Sequence, residues 1–138
     1  MARLRMADID TQWRVLAAHE AGHVVALHLN GYPIDHVRMW VDGAIARGYT
    51  ETDADPVALV FLAGLAAGDR AAPRGYLQGA CDDIPDAKAA LRGTRQSLWS
   101  AQADARRWVR REWRRIARVA AVLEREGGMS GRQAARLV

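Results

Sequence analysis

The chain has one cysteine, Cys81, so no internal disulfide can form. That excludes a cystine-stapled secreted scaffold and predicts a reducing, cytoplasmic setting. Proline is scarce, at four residues, and lysine almost absent: Lys88 is the one lysine among twenty basic side chains. Long apolar runs are missing too. The longest, residues 57–67, is too short to span a bilayer and predicts a buried helix. The first ten residues are charged and contain no apolar stretch of the kind a secretory signal needs. Internal repeats and low-complexity tracts are also lacking. These absences predict a soluble protein with no membrane association.

What is present favours helices. Half of the 138 residues are hydrophobic, many of them alanine, and the length suits one domain, 1–138, with a flexible start over residues 1–9. Charge is unevenly placed. Residues 1–70 carry 6 basic and 9 acidic side chains, whereas residues 71–138 carry 14 and 7. The basic excess gathers in the C-terminal helices expected over 101–138.

In the acidic half stands His19-Glu20-Ala21-Gly22-His23. On a helix, residues four apart lie one turn above each other, so both imidazoles can hold one metal ion with the Glu beside it. This is the pattern of a zinc peptidase: the metal lowers the pKa of a water, and Glu20 takes its proton as it attacks a peptide carbonyl. A site serving structure alone would need no such base.

The motif helix should start near Asp8 to Thr11, capped by Asp10 or Thr11, and end at Asn30-Gly31 ahead of Pro33. Gly22 costs about 1 kcal/mol inside a helix relative to Ala, which predicts close approach of another backbone there. Alternation at His36 to Trp40, the turn signal Asp42-Gly43 and the stretch Ala44 to Thr50 predict a short hairpin. Asp55-Pro56 reads as a cap opening a helix to about Asp69 or Arg70, one side of it made of very small residues. Residues 73–83 read as loop, and Asp82 or Asp83 ahead of Ile84-Pro85 as a helix start. Helical composition continues to Glu126 with a break near Gly93 and Ser97 to Ser100. Gly127-Gly128 stop it, and Ser130 can cap a last helix, Gly131 to Val138. The fold class expected is mainly α, with a small hairpin or sheet beside the motif helix.

Two histidines leave a catalytic zinc one protein ligand short. His28, His36, Glu51, Asp53, Asp69, Asp82, Asp83 and Asp86 are the downstream candidates. His28 faces away, and residue chemistry alone does not choose among the rest.

The order of further motifs resembles the peptidase domain of FtsH-type ATP-dependent zinc proteases. The family's H-E-A-G-H helix is similar to residues 19–23, and its strand-turn-strand ending in Gly-Tyr-Thr resembles Val37 to Thr50. Its small-residue helix resembles Ala63-Gly64-Leu65-Ala66-Ala67-Gly68-Asp69. Its G-A-S-x-D stretch, which supplies the third metal ligand, resembles Gly79-Ala80-Cys81-Asp82-Asp83. The resemblance covers most of residues 10–138 and implies Asp83 as the third Zn²⁺ ligand, with Asp82 second and Asp86 third in line. Cys81, at the family's Ser position, is then packing. Asp69 stands near the family's paired Glu and could orient a histidine. The sequence holds no G-x-x-x-x-G-K-[ST] phosphate loop, so the expectation is ATP-independent endopeptidase action on peptides or unfolded segments. A separate ATPase or regulatory partner, and oligomeric rings, are implied by the same resemblance.

Two surfaces complete the reading. The strand Ala44 to Thr50 could bind an extended peptide by edge pairing, with Trp40, Tyr49 and Tyr76 as groove candidates. Arg106, Arg107, Arg110, Arg111, Arg114, Arg115 and Arg118 recur opposite an apolar stripe of Val109, Ile116, Ala120 and Leu123. No base-reading motif accompanies that charge, so nucleic acid is not the favoured partner. The alternative function is a non-catalytic, zinc-stabilised module whose arginine-rich helix binds an acidic partner or nucleic acid.

Overall fold

The computed structural model describes residues 8–78 and 82–138. Of the flexible start expected over residues 1–9, residues 1–7 lie outside the described residues, as do Gly79, Ala80 and Cys81, whereas Asp8 and Ile9 are the cap and first residue of a helix. Five helices and three short strands follow in the order α1 (Ile9–Leu29), β1 (His36–Asp42), β2 (Ile45–Glu51), α2 (Ala58–Ala71), α3 (Asp83–Leu91), α4 (Leu98–Glu126), β3 (Gly128–Ser130) and α5 (Gly131–Leu137). The fold is mainly α with a small antiparallel sheet, as expected. No described helix is long and apolar enough to cross a membrane.

The motif helix is central. From Ala17 to Leu27 every residue of α1 is buried, the two histidines and Glu20 included. Helix α2 packs across it where side chains are smallest. A Cβ at Gly22 would stand 2.5 Å from the Ala63 carbonyl oxygen, and one at Gly64 would collide with the His23 ring. Gly22 therefore marks a close backbone approach, which a larger side chain would prevent. The long helix α4 covers both through Val109, Ile116, Val119 and Leu123, each nearly inaccessible to solvent. Burying a side chain of that size contributes about 1.5–3 kcal/mol. The Trp13 indole donates to the Glu124 carbonyl oxygen at 2.8 Å, which ties the start of α1 to the end of α4.

Several boundaries differ from expectation. The cap of α1 is Asp8, whose carboxylate accepts from the Thr11 amide at 2.7 Å, so neither Asp10 nor Thr11 serves. Asp55-Pro56 does not open α2: the chain stays extended through Val57, which caps the helix with no side-chain hydrogen bond. Pro56 is instead buried in the wall of a cavity, and tertiary packing overrides the local signal. The break between α3 and α4 spans residues 92–97, and Ser97 caps α4 by accepting from the Ser100 amide. Gly127 ends α4 at φ 73°, and Ser130 caps α5 through the Gln133 amide.

The sheet order is β2-β1-β3, all antiparallel. Strand β1 is central, pairing Met39 with Gly48 on one side and Val37 with Met129 on the other. Val37 and Met39 are buried, but Val41 at the hairpin end is exposed. Strand β3 has three residues and carries no sequence signal of its own. The sheet leaves β2 as an edge strand alongside α1.

Candidate metal centre

His19 and His23 occupy successive turns of α1 with their Nε2 atoms 3.1 Å apart. Asp83, the first residue of α3, brings Oδ2 to 2.8 Å from His19 Nε2 and 3.1 Å from His23 Nε2. Three donors thus converge, two imidazole nitrogens and one carboxylate oxygen. The outer ring nitrogens also have partners. His23 Nδ1 lies 2.8 Å from the Val60 carbonyl oxygen in α2, and His19 Nδ1 lies 2.7 Å from Gln78 Oε1.

The other candidates do not join this cluster. Asp82 is exposed and, although it caps α3, makes no side-chain cap bond. Asp86 lines the cavity beside the cluster but is exposed. His28, Asp53 and Glu51 are exposed, Glu51 as the last residue of β2. His36 bonds the Tyr49 hydroxyl at 3.0 Å. Asp69 accepts from Gln78 Nε2 at 2.7 Å and so reaches His19 at one remove.

Glu20 is 3% exposed, and its Oε2 has no hydrogen-bond partner among the described residues. Thr50 Oγ1, buried in the same cavity wall, makes no well-formed hydrogen bond either, yet it faces Glu20 closely enough to favour the ionised carboxylate slightly. Burial pushes the Glu20 carboxyl above the usual carboxylate range, against the pull of His23 and His19. For His23, burial works downward, but the hydrogen bond and charge of Asp83, with Glu20, push its pKa up to about 9. Burial would raise Asp83, yet its contacts with the ring nitrogens of His19 and His23 hold it well below the carboxylate range. The cavity has a volume of about 380 Å³ and runs from the cluster along Gly48, Tyr49 and Thr50 of the edge strand. A second, of about 360 Å³, lies on the His19 side under Ile45 to Gly48 and Tyr76.

A search of protein-family models and of curated proteins finds no match to this chain. The reading of the site therefore rests on its own chemistry. Among the described residues, His19, His23 and Asp83 are the group of histidine and acidic side chains whose ligand atoms can meet on one metal ion. Ligands at about 2.0–2.1 Å from tetrahedral zinc stand about 3.3 Å apart, so separations of 2.8–3.1 Å need only a slight spreading. The donor set of two imidazoles and a carboxylate, with an unpartnered carboxylate oxygen beside it, fits a catalytic zinc.

Sequence reading missed Gln78 and Thr50. Gln78 stands in the loop-like stretch 73–83 and carries no motif signal, while Thr50 reads only as the end of a strand. On α4 the seven arginines from Arg106 to Arg118 are all exposed, and Val109, Ile116, Ala120 and Leu123 are buried. Trp40 and Tyr49 pack edge to face at 5.8 Å, and Arg70 lies 4.8 Å over the Trp113 ring.

Proposed function

We propose that the protein is a zinc metallopeptidase cutting unstructured protein segments, akin in chemistry to the peptidase domain of FtsH-type proteases. One observation carries the reading: His19, His23 and Asp83 converge beside a buried Glu20 whose Oε2 is unpartnered, at the mouth of a cavity bordered by an edge strand. His19, His23 and Asp83 would hold the ion. Zinc, when bound, supplies a Lewis acid that polarises a carbonyl and brings the pKa of water down to about 7.

Glu20 is the general base. Its burial raises its proton affinity above that of an ordinary carboxylate, which suits a group that takes a proton from the attacking water and returns it to the leaving amine nitrogen. His23 keeps its orientation through Val60, and Asp83 keeps the cluster's charge balanced against the two imidazoles. The edge strand β2 can accept an extended segment by main-chain pairing, which favours flexible substrates of varied sequence. The same proposal includes a separate ATPase or regulatory partner that delivers substrate, assembly into oligomers, and a cytoplasmic location.

The test compares wild type with Glu20→Gln on casein, zinc added and metal content measured. Glu20→Gln should keep its zinc and lose activity by about 10²–10⁴-fold, the usual worth of a positioned base. Equal turnover by both proteins, or no turnover by zinc-loaded wild type, sinks the proposal.

A second reading is a non-catalytic zinc module that binds a polyanion. It is favoured by Arg106, Arg110 and Arg114, a row at i, i+4 spacing on α4 with no ion pair among the described residues. Phosphate contacts of that kind would weaken steeply with salt. Oligonucleotide binding that persists from low to high salt would exclude it.

A further inference from the structure

We propose that Gln78 is a positioning residue that fixes the tautomer of His19 and couples it to the Asp69 carboxylate. The inference rests on the metal-centre reading above and extends it to a residue outside the ligand set.

The hydrogen bonds determine the direction of each proton. Gln78 Nε2 lies 2.9 Å from the Leu65 carbonyl oxygen and 2.7 Å from Asp69 Oδ1, two groups that only accept. The amide nitrogen must therefore face α2, which turns Oε1 towards His19 Nδ1 at 2.7 Å. An amide oxygen can only accept, so the proton on a neutral His19 ring belongs on Nδ1. Its lone pair is then on Nε2, the atom aimed at Asp83 and His23. Asp69, Gln78 and His19 thus form a relay in which a carboxylate polarises an amide and the amide polarises an imidazole. That raises the basicity of Nε2 without adding another carboxylate to the cluster.

Helix α2 is shaped to seat this amide. A Cβ at Gly68 would overlap Gln78 Oε1 and stand 2.8 Å from its Cδ, so the helix is bare where the amide lies. His23 has a backbone carbonyl, that of Val60, in the corresponding place. Gln78 is the side-chain counterpart for His19.

The test measures zinc affinity by competition with a chromogenic chelator, with the NMR signal of the His19 Nδ1 proton followed in the zinc-loaded protein. Three variants are compared with wild type: Gln78→Leu, Gln78→Glu, and Gln78→Glu combined with Asp69→Asn. Gln78→Leu should bind zinc about 10–100-fold more weakly and lose the His19 Nδ1 proton signal. Gln78→Glu sets two carboxylates against each other and should also lose affinity. Adding Asp69→Asn restores a donor facing Glu at position 78, so affinity and the Nδ1 signal should recover together. Wild-type affinity in Gln78→Leu overturns the role of Gln78 and leaves the metal centre standing, as does weakened affinity with the Nδ1 signal intact. Failure of wild type to bind zinc at all overturns the metal centre itself, and the positioning role with it.

Discussion

Two carboxylates enter one site with opposite electrostatics. Asp83 is held ionised by the imidazoles it bonds, which suits a ligand; Glu20 is pushed up by burial, which suits a group that must take and return a proton. Asp83→Asn should therefore cost more zinc affinity than the about 10–100-fold lost with a supporting hydrogen bond, whereas Asp82→Asn should leave it unchanged. Competition titration of both variants checks the assignment, and equal losses would contradict it. In chelator-treated protein the His23–Asp83 pair also sets a pH window. The His23 share of stability is fully present below its ordinary 6.5 and fades as pH rises through about 9. The Asp83 share is present above its ordinary 3.8 and fades as pH falls below it. The metal-free melting temperature should be highest between those two ordinary values, and a flat profile across the whole range would argue against the pair.

At the scale of elements, the crossing of α1 and α2 positions everything else. Ala in place of Gly22 would gain about 1 kcal/mol of helix propensity. The new Cβ, however, would stand 2.5 Å from the Ala63 carbonyl oxygen and 2.9 Å from the Ala67 Cβ, backbone and short side chain that cannot swing aside. Overpacking of this kind costs about 1–3 kcal/mol, so the clash wins. Gly22→Ala should lower the melting temperature by several degrees and Gly64→Ala, directly against the His23 ring, should also weaken zinc binding. Thermal denaturation with metal titration separates the two effects. Gly22 was legible in the sequence because an interior glycine is costly unless something needs the space. The start of α2 was not: Asp55-Pro56 has the local chemistry of a cap, but Pro56 is taken up by the cavity wall and the helix begins at Ala58.

For the whole molecule, a metal held by His19 and His23 of α1 and by Asp83 of α3 would join two helices that have few other means of contact. Ligand binding to the folded state alone adds about 4 kcal/mol at a thousandfold excess over the dissociation constant. Zinc-loaded protein should thus melt higher than protein treated with chelator, by about 10 °C for a domain of this size. Calorimetry with and without chelator measures the difference, and coincident transitions would remove the metal from the stability of the fold. The charge asymmetry operates at the same scale. Arg106 and Arg110 share a pocket with Asp69, whereas Arg114 lines none of the described cavities, so Arg114→Ala should leave casein turnover within about twofold, surface changes of this kind being small in effect.

The sequence by itself determined His19, Glu20 and His23 as a unit, along with the glycines that end α1 and α4 and the Ser130 cap of α5, but not the Asp8 cap of α1. These depend on 3.6-residue periodicity and on groups within a turn of each other. Residue chemistry left the third donor open among several acids, and the family resemblance narrowed it to Asp83. Only the tertiary structure decided that Asp83 meets the two histidines while Asp82 turns to solvent. It alone brought Gln78 to His19 and Thr50 to the wall beside Glu20. The physical reason is separation along the chain: Asp83 stands 60 residues from His23, and Gln78 stands 59 from His19. Their approach depends on how closely two glycine-bearing helices pack, which no local pattern encodes.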